Sequence, residues 1–268
     1  MKLTKHKLAA TFLIASILGA NAHVAAAELK TYESNGIVEF VPDDAITPPT
    51  DPENPDPEKP VNPWDPTTPG NKPNPGTSGP LSLDYASSLD FGKNKISNKD
   101  EVYYVDPQYL WKEDLTGIDE TIARPNYVQI TDKRGNNAGW ILTVKQDGQF
   151  KHATTQNKVL TGSEIAFKEG IADSNIENII PPKTVDINLV PDAETTFLTA
   201  EKGAGAGTWV ERFGEVEEMQ VDGKTVKKNK AITLSIPGSI PKDAVKYETK
   251  LIWSLKDVPA NNEEIENP

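Results

Sequence analysis

The fold is decided by a short alternating run, Gly139-Trp140-Ile141-Leu142-Thr143-Val144-Lys145-Gln146. Residues i and i+2 of a β-strand point to the same face, so Trp140, Leu142 and Val144 share one side. A second run near the C-terminus, Leu251-Ile252-Trp253-Ser254-Leu255-Lys256, alternates in the same way. Each run therefore predicts a strand with one apolar face, and each contains the tripeptide Trp-x-Leu.

The apolar face of these two strands has two interpretations. Large apolar residues repeating with period two are usually buried against another sheet, which favours a core role. An exposed Trp–Leu stripe would instead be a patch for stacking on sugars or for docking a protein. The sequence favours the core but leaves both interpretations open.

Working outward, further short runs of β-branched and aromatic residues recur between Gly, Pro, Asn and Asp, and no long stretch has helical periodicity. This pattern predicts an all-β fold, an antiparallel β-sandwich with a Pro-rich extended loop near its N-terminus and at most a turn or two of helix. The predicted strands are 81–85, 101–105, 127–131, 140–144, 164–167, 185–190, 195–200, 208–213, 231–236 and 247–255.

The N-terminus has the three parts of a cleavable signal peptide in order. Lys2, Lys5 and Lys7 precede an apolar run at 8–18, and small residues end at Ala27. The apolar run is shorter than the roughly 20 residues that span a bilayer. Residues 1–27 are therefore predicted to direct secretion and to be removed.

Residues 28–41 are predicted to form a strand or hairpin. Asn35-Gly36 is a strong hairpin turn signal, and Tyr32, Val38 and Phe40 suit strands. Because a two-stranded hairpin is marginal alone in water, this segment is expected to pack on the main domain.

Residues 42–80 contain 13 of the 22 prolines, many in Asp-Pro and Asn-Pro steps. Proline fixes φ and lacks an N–H, so an extended, solvated spacer that runs as a long surface loop is predicted. Trp64 is the exception in this polar segment, and it is expected to dock on the domain. The β domain itself is assigned to residues 81–268.

Charge and cysteine content exclude several classes of function. Without residues 1–27 the chain has 25 basic and 40 acidic residues, a net charge of −15, which repels nucleic acid and does not favour simple attraction to anionic teichoic acids. There are no cysteines to form disulfides, act as thiolates or carry a lipid. No LPxTG-like sorting signal is present, so any surface attachment is expected to be non-covalent.

The two Trp-x-Leu runs stand 113 positions apart, and they are accompanied by the segments 81–92 and 207–214, the leader and the Asp-Pro spacer. This set resembles the WxL-domain surface proteins of low-GC Gram-positive bacteria over essentially the whole chain. The resemblance implies a secreted, extracellular protein held on peptidoglycan at the cell wall. It also implies partner surface proteins, including a membrane-anchored WxL-interacting protein, and for some members host matrix proteins. The implied binding residues are Trp140, Leu142, Trp253 and Leu255.

Two loops are alternative carriers of a ligand site. The loop at 132–137 is rich in hydrogen-bonding groups that suit a glycan, and the loop at 202–207 is rich in glycine, so its backbone could approach a ligand closely. Both also read as ordinary turns, which is the favoured interpretation.

Catalysis has little support in the sequence. His152 is the one histidine beyond the leader, and neither HExxH nor a zinc-ligand cluster occurs. Carboxylate pairs are easy to find in so acidic a chain and carry little weight. The prediction is a non-catalytic protein with no catalytic residues, no cofactor and no metal, acting as a wall-attached scaffold or assembly component. An adhesin for host matrix is the alternative, and a carbohydrate-active enzyme is less favoured.

Overall fold

The computed structural model of the chain describes residues 30–257. The predicted signal peptide, 1–27, and the last residues, 258–268, lie outside this range. Within it, no helix has the length and hydrophobicity needed to cross a membrane.

The described chain is built from strands, with one short 3₁₀ turn at Pro69–Asn71. The strands are β1 Leu81–Ala86, β2 Glu101–Val105, β3 Gln108–Trp111, β4 Ile118–Arg124, β5 Tyr127–Asp132, β6 Trp140–Gln146, β7 Glu164–Phe167, β8 Gly170–Asp173, β9 Lys183–Thr184, β10 Ile187–Asn188, β11 Glu194–Ala200, β12 Gly207–Phe213, β13 Val216–Val221, β14 Lys224–Ile236 and β15 Leu251–Asp257. The predicted all-β class is confirmed.

The strands pair antiparallel throughout the four sheets of residues 81–257. One sheet has the order β1-β5-β12-β8, a second β15-β6-β11-β9, and a third β10-β7-β14-β13 with β2 also paired to β14. Strands β3 and β4 form a separate ribbon. The sheets enclose a shared interior, which is the arrangement expected of a β-sandwich.

A single large cluster of buried apolar side chains joins the three main sheets. It takes Ile130 from β5, Leu142 from β6, Phe167 from β7, Phe213 from β12 and Ile232 from β14, each no more than 2% exposed. Without cysteines, the stability of the domain rests on this core.

The Pro-rich segment folds through its Asp-Pro steps. Asp51, Asp56 and Asp65 each precede a proline, and each accepts a hydrogen bond through Oδ1 from the backbone N–H two residues later, at 2.8–3.0 Å. These are Asx turns, the local structure that aspartate offers a backbone. The composition that predicts an extended, solvated spacer thus encodes a series of turns.

The same segment is held against the outer face of the β1-β5-β12-β8 sheet. Thr50 is fully buried, and its N–H and its hydroxyl donate to Oε1 of Gln129 on β5 at 2.7 and 3.0 Å. Gln129 Nε2 donates to the carbonyl of Pro48 at 3.0 Å, and Arg124 makes two 2.7 Å bonds to the Asp51 carboxylate. The tethered part of the segment is therefore packed and not freely solvated. Proline lacks an N–H, but its carbonyl still accepts, and Gln129 of β5 supplies the donor to Pro48.

Residues 30–41 differ from the hairpin predicted over 28–41. They contain no strand, and the side chains of Tyr32, Val38 and Phe40 are 96%, 75% and 88% exposed. A two-stranded hairpin needs a surface to bury its apolar face, and these side chains bury almost nothing. The strand signals alone were not sufficient to form one here.

Candidate functional site

The fold brings the two Trp-x-Leu runs side by side. Strand β15 pairs antiparallel with β6, so that Leu255 stands opposite Leu142, Trp253 opposite Val144 and Asp257 opposite Trp140. Directly opposed side chains lie on one face of a sheet. Runs that are 113 positions apart in sequence therefore form one continuous apolar surface.

Trp140 and Leu142 belong to the interior of the domain. Both are 0% exposed, as is Val144 on the same face. The indole N–H of Trp140 donates to the carbonyl of Gly205 at 3.0 Å, which satisfies its one polar group. Of the two interpretations left open by the sequence, the structure places this first Trp-x-Leu in the core, and neither side chain is available to touch a macromolecular ligand directly.

The second Trp-x-Leu lies on the edge strand and is half-buried. The ring of Trp253 packs edge-on against Phe197, with centroids 4.7 Å apart and planes at 88°, and against Phe167 at 6.3 Å and 80°. Leu255 also packs against the core while keeping part of its surface accessible. Any direct role of the paired motifs in binding therefore falls on the partly exposed edges of Trp253 and Leu255.

The glycine-rich loop at 202–207 covers the indole ring of Trp140. Gly205 has φ +69°, and a Cβ there would lie 2.5 Å from the Ala200 Cβ and 2.8 Å from Trp140 Nε1. Ala204 is 3% exposed, and the carbonyl of Ala206 accepts from Trp209 Nε1 at 2.9 Å. The glycine is required because the backbone passes directly over the indole.

The polar loop at 132–137 is joined to the edge strand β15 by a clamp, the hydrogen bonds of Arg134 to Asp132 and Asp257. Arg134 donates to both oxygens of Asp132, at 2.9 and 2.7 Å, to the carbonyl of Gly139 at 2.8 Å and to the carboxylate of Asp257 on β15. Its side chain is 9% exposed, and the hydrogen bonds that it donates to Asp132, with a further contribution from the bond to Asp257, raise the pKa of the guanidinium. The charged groups of Asp132 and Arg134 are thus engaged within the protein, whereas Asn136 and Asn137 remain exposed.

His152 shows no catalytic partner in the described structure. Its ring lies edge-on to Tyr247, with centroids 6.5 Å apart, and its buried Nδ1 has no hydrogen-bond partner among the described residues. Over the same range no group of three or more His, Asp and Glu side chains is placed to hold a metal ion.

Glu211 on β12 is an unusual buried carboxyl group. It is 0% exposed, and neither carboxylate oxygen has a hydrogen-bond partner among the described residues. Burial raises its pKa well above the ordinary value, and the negative charge of Asp186 adds to the shift. Its surroundings favour the protonated form.

The tryptophan of the Pro-rich segment docks on the small β3–β4 ribbon. The backbone N–H of Trp64 donates to the carbonyl of Tyr109 at 2.8 Å, and the backbone N–H of Trp111 donates to the carbonyl of Asn62 at 2.9 Å. The rings of Trp64 and Trp111 are in contact, with centroids 4.3 Å apart and planes tilted by 51°. The segment thus adds an outer edge to the ribbon and carries an aromatic side chain with it.

This docking creates a pocket that sequence reasoning did not assemble. We call it the aromatic pocket: an open cavity of about 200 Å³ whose lining includes Trp64, Ser88, Asp90, Asp106, Gln108 and Tyr109. Trp64 had been singled out as an aromatic that should dock. The lining residues outside the Pro-rich segment come from three segments, 88–90, 106–109 and Ile118. No spacing in the sequence links these segments to Trp64.

Hydrogen bonds fix the floor and the acidic rim of the aromatic pocket. Gln108 is 3% exposed, and its Nε2 donates to the carbonyls of Trp64 and Tyr109 at 2.7 and 2.8 Å. Asp106 pairs with Lys228 at 2.5 Å. Burial raises the pKa of Asp106, against the lowering effect of Lys228.

The molecule is thus an all-β domain in which two Trp-x-Leu strands pair and a glycine-rich loop covers Trp140 of the first. Residues 27–259 match the family model of the WxL domain, which is described as surface cell wall-binding. The chain belongs to this family, so it is a cell wall-binding surface protein. No curated protein and no solved structure matches it.

Proposed function

We propose that this protein is secreted and attaches non-covalently to the peptidoglycan of the bacterial wall, where it serves as a non-catalytic scaffold for other surface proteins. The observation that carries the proposal is the extent of the family match, residues 27–259 of 268. Almost the whole chain corresponds to the wall-binding domain. The membrane-anchored WxL-interacting proteins implied by the family resemblance are the proposed partners.

The charge of the chain shapes the kind of attachment to expect. Without residues 1–27 the protein has 25 basic and 40 acidic residues, a net charge of −15. It is therefore repelled by anionic wall polymers, and salt screens that repulsion. Attachment through neutral groups should therefore persist or strengthen as salt rises. Attachment through attraction between opposite charges would weaken.

The experiment is retention of the chain, without residues 1–27, on purified peptidoglycan stripped of teichoic acid. We expect saturable binding at low and high salt, and release by urea without any enzymatic cleavage. An acidic protein of similar size serves as the control for trapping in the sacculi. Absence of retention would reject direct attachment, and saturable binding to host matrix proteins alone would favour an adhesin.

The scaffold role is tested separately. A purified membrane-anchored WxL-interacting protein is expected to bind the folded chain and to bind the wall-attached chain equally well. Release of soluble sugar from the wall by the chain would contradict a non-catalytic role.

A further inference from the structure

We propose that the aromatic pocket binds one sugar unit of the glycan strand, an N-acetylated amino sugar, and that it makes the direct contact with the wall. This inference rests on the attachment proposed above and assigns it to residues outside both Trp-x-Leu runs. Trp64 and Tyr109 form its walls, and Asp90, Asp106 and Ser88 provide its polar rim.

The paired Trp-x-Leu strands leave little surface for a sugar. Trp140 and Leu142 are 0% exposed, and Trp253 packs edge-on against Phe197 with ring centroids 4.7 Å apart. The loop at 132–137 has Arg134 engaged in the clamp, and the loop at 202–207 lies over Trp140. The aromatic pocket, in contrast, is an open concave site with aromatic walls.

The walls have the chemistry of a sugar-binding surface. A sugar ring presents C–H groups on its faces and hydroxyl groups around its edge, so it needs an apolar wall and polar groups beside it. Trp64 and Tyr109 are both half-buried, which leaves aromatic surface facing the cavity. Aromatic side chains of this kind supply contact area at a small cost in conformational entropy.

The walls are also held in place before any ligand arrives. The ring of Trp64 packs at a tilt against the ring of Trp111, and the backbone N–H of Trp64 donates to the carbonyl of Tyr109 at 2.8 Å. The buried amide of Gln108 ties the carbonyls of Trp64 and Tyr109 together, and its Oε1 accepts from Tyr85 at 2.6 Å. Preorganisation of this kind reduces the entropy lost on binding.

The rim selects a neutral ligand with hydrogen-bond donors. Asp90 Oδ1 accepts from the N–H of Gly92 at 2.8 Å, and Asp106 pairs with Lys228. An ionised carboxylate has about four acceptor positions, so both rim carboxylates retain acceptor capacity for hydroxyl or amide groups. They repel phosphate, which disfavours teichoic acid. The pairing with Lys228 neutralises one of the two charges, so the pocket attracts a cationic peptide amine less strongly.

The size of the pocket limits what it holds. At about 200 Å³, it is smaller than the roughly 300–1,000 Å³ of a typical drug-sized pocket. It accommodates a single ring at a time, as expected for a site that recognises one repeating unit of a strand. Affinity for one unit should therefore be weak.

The test is a calorimetric titration of the chain with soluble glycan fragments from which the stem peptides have been removed, beside isolated stem peptides. Three variants are compared with wild type: Tyr109→Ala removes a wall, Asp90→Asn keeps the shape and the bond to Gly92, and Tyr104→Ala is the matched control. Tyr104 lies on β2 and does not line the pocket. A urea midpoint close to that of wild type establishes that a variant is folded. If Tyr109→Ala does not fold, the binding measured for Asp90→Asn tests the proposal.

We expect millimolar-range binding of the peptide-free glycan, at least fivefold weaker for Tyr109→Ala and Asp90→Asn and unchanged for Tyr104→Ala. Retention on whole sacculi should fall in the same order. Binding of whole sacculi without any binding of glycan fragments, or unchanged binding by the two pocket variants, would overturn the assignment while leaving wall attachment standing. Equal binding of stem peptides alone would also overturn it. Failure of wild type to bind sacculi at all would reject the proposed function itself.

Discussion

Replacement of Trp140 by phenylalanine separates a structural role of the first Trp-x-Leu run from a direct role in binding. Phenylalanine keeps an aromatic ring in the core but loses the indole N–H that donates to the carbonyl of Gly205 at 3.0 Å. Leaving that buried carbonyl unsatisfied costs about 1–3 kcal/mol, and the space left by the smaller ring adds roughly 1 kcal/mol. The free energy of unfolding should therefore fall by about 2–4 kcal/mol.

The matched variant is Trp253→Phe on the opposed strand. Trp253 is half-buried and makes no side-chain hydrogen bond among the described residues, and phenylalanine preserves most of its edge-on contact with Phe197. Its loss of stability should stay below about 1.5 kcal/mol, the upper range for an aromatic pair. The two tryptophans are thus expected to contribute differently to the free energy of unfolding, although both stand in a Trp-x-Leu run.

Urea unfolding followed by circular dichroism gives both free energies, and retention on purified sacculi gives binding at the same temperature. Since a typical domain is stable by about 5–15 kcal/mol, both variants should remain folded and bind as wild type does. Loss of retention by Trp140→Phe with an unchanged urea midpoint would refute the reasoning, because a fully buried ring would then have to act on the ligand directly.

Three other changes test separate parts of the structure. Gly205→Ala should lower the free energy of unfolding by about 1–3 kcal/mol, because residue 205 has φ +69° and the new Cβ would lie 2.8 Å from the indole nitrogen of Trp140. A wild-type urea midpoint would contradict the close packing of the loop at 202–207 on Trp140. Glu211 has a pKa raised by burial and by a neighbouring negative charge, so its contribution to stability is fully present below its ordinary pKa near 4.5 and is lost as pH rises through the folded-state pKa. Glu211→Gln should therefore gain stability relative to wild type as pH rises from 5 to 8 in urea titrations, and a constant difference would contradict the shift. Asp51→Asn removes the ion pair between Asp51 and Arg124, whose side chains are 21% and 23% exposed respectively. We expect the free energy of unfolding to fall by no more than about 1 kcal/mol and proteolysis within residues 42–80 to become faster. An unchanged cleavage pattern would show that other contacts hold the segment.

The strands that sequence reasoning found are those that bury an apolar face. Strand β6 shows the period-two pattern in its side chains and is almost fully buried. Strands β4 and β13 were missed because neither contains a fully buried residue and because consecutive polar or charged residues interrupt the alternation in both. Their pairing depends on backbone hydrogen bonds to a neighbour, which leave no mark on the hydrophobic pattern.

The Pro-rich segment marks the limit of reasoning from composition. Its low hydrophobicity predicted a solvated spacer, but its contacts are polar: the buried Thr50 bonded to Gln129, and Asp51 bonded to Arg124. The partners lie 79 and 73 positions away, and only tertiary structure brings them together. The aromatic pocket depends on the same docking, because Trp64 reaches it from within this segment, and so its lining was not predictable.

The pairing of β6 with β15 explains why a tripeptide as short as Trp-x-Leu occurs in both strands. Leu142 and Leu255 are directly opposed, and Trp253 stands across from Val144, so each run completes the apolar face that the other begins. A sequence shows that both runs alternate, but it cannot show that they are neighbours. If the motif acts through this shared face, a change that loosens the edge strand should impair wall retention only as far as it destabilises the domain. Replacement of Asp257, a position outside both tripeptides, by asparagine removes its ion pair with Arg134. This change is then expected to lower the free energy of unfolding by no more than about 1 kcal/mol and to leave wall retention as in wild type. A loss of retention from either tripeptide in a domain of wild-type stability would instead assign the binding surface to the motif itself.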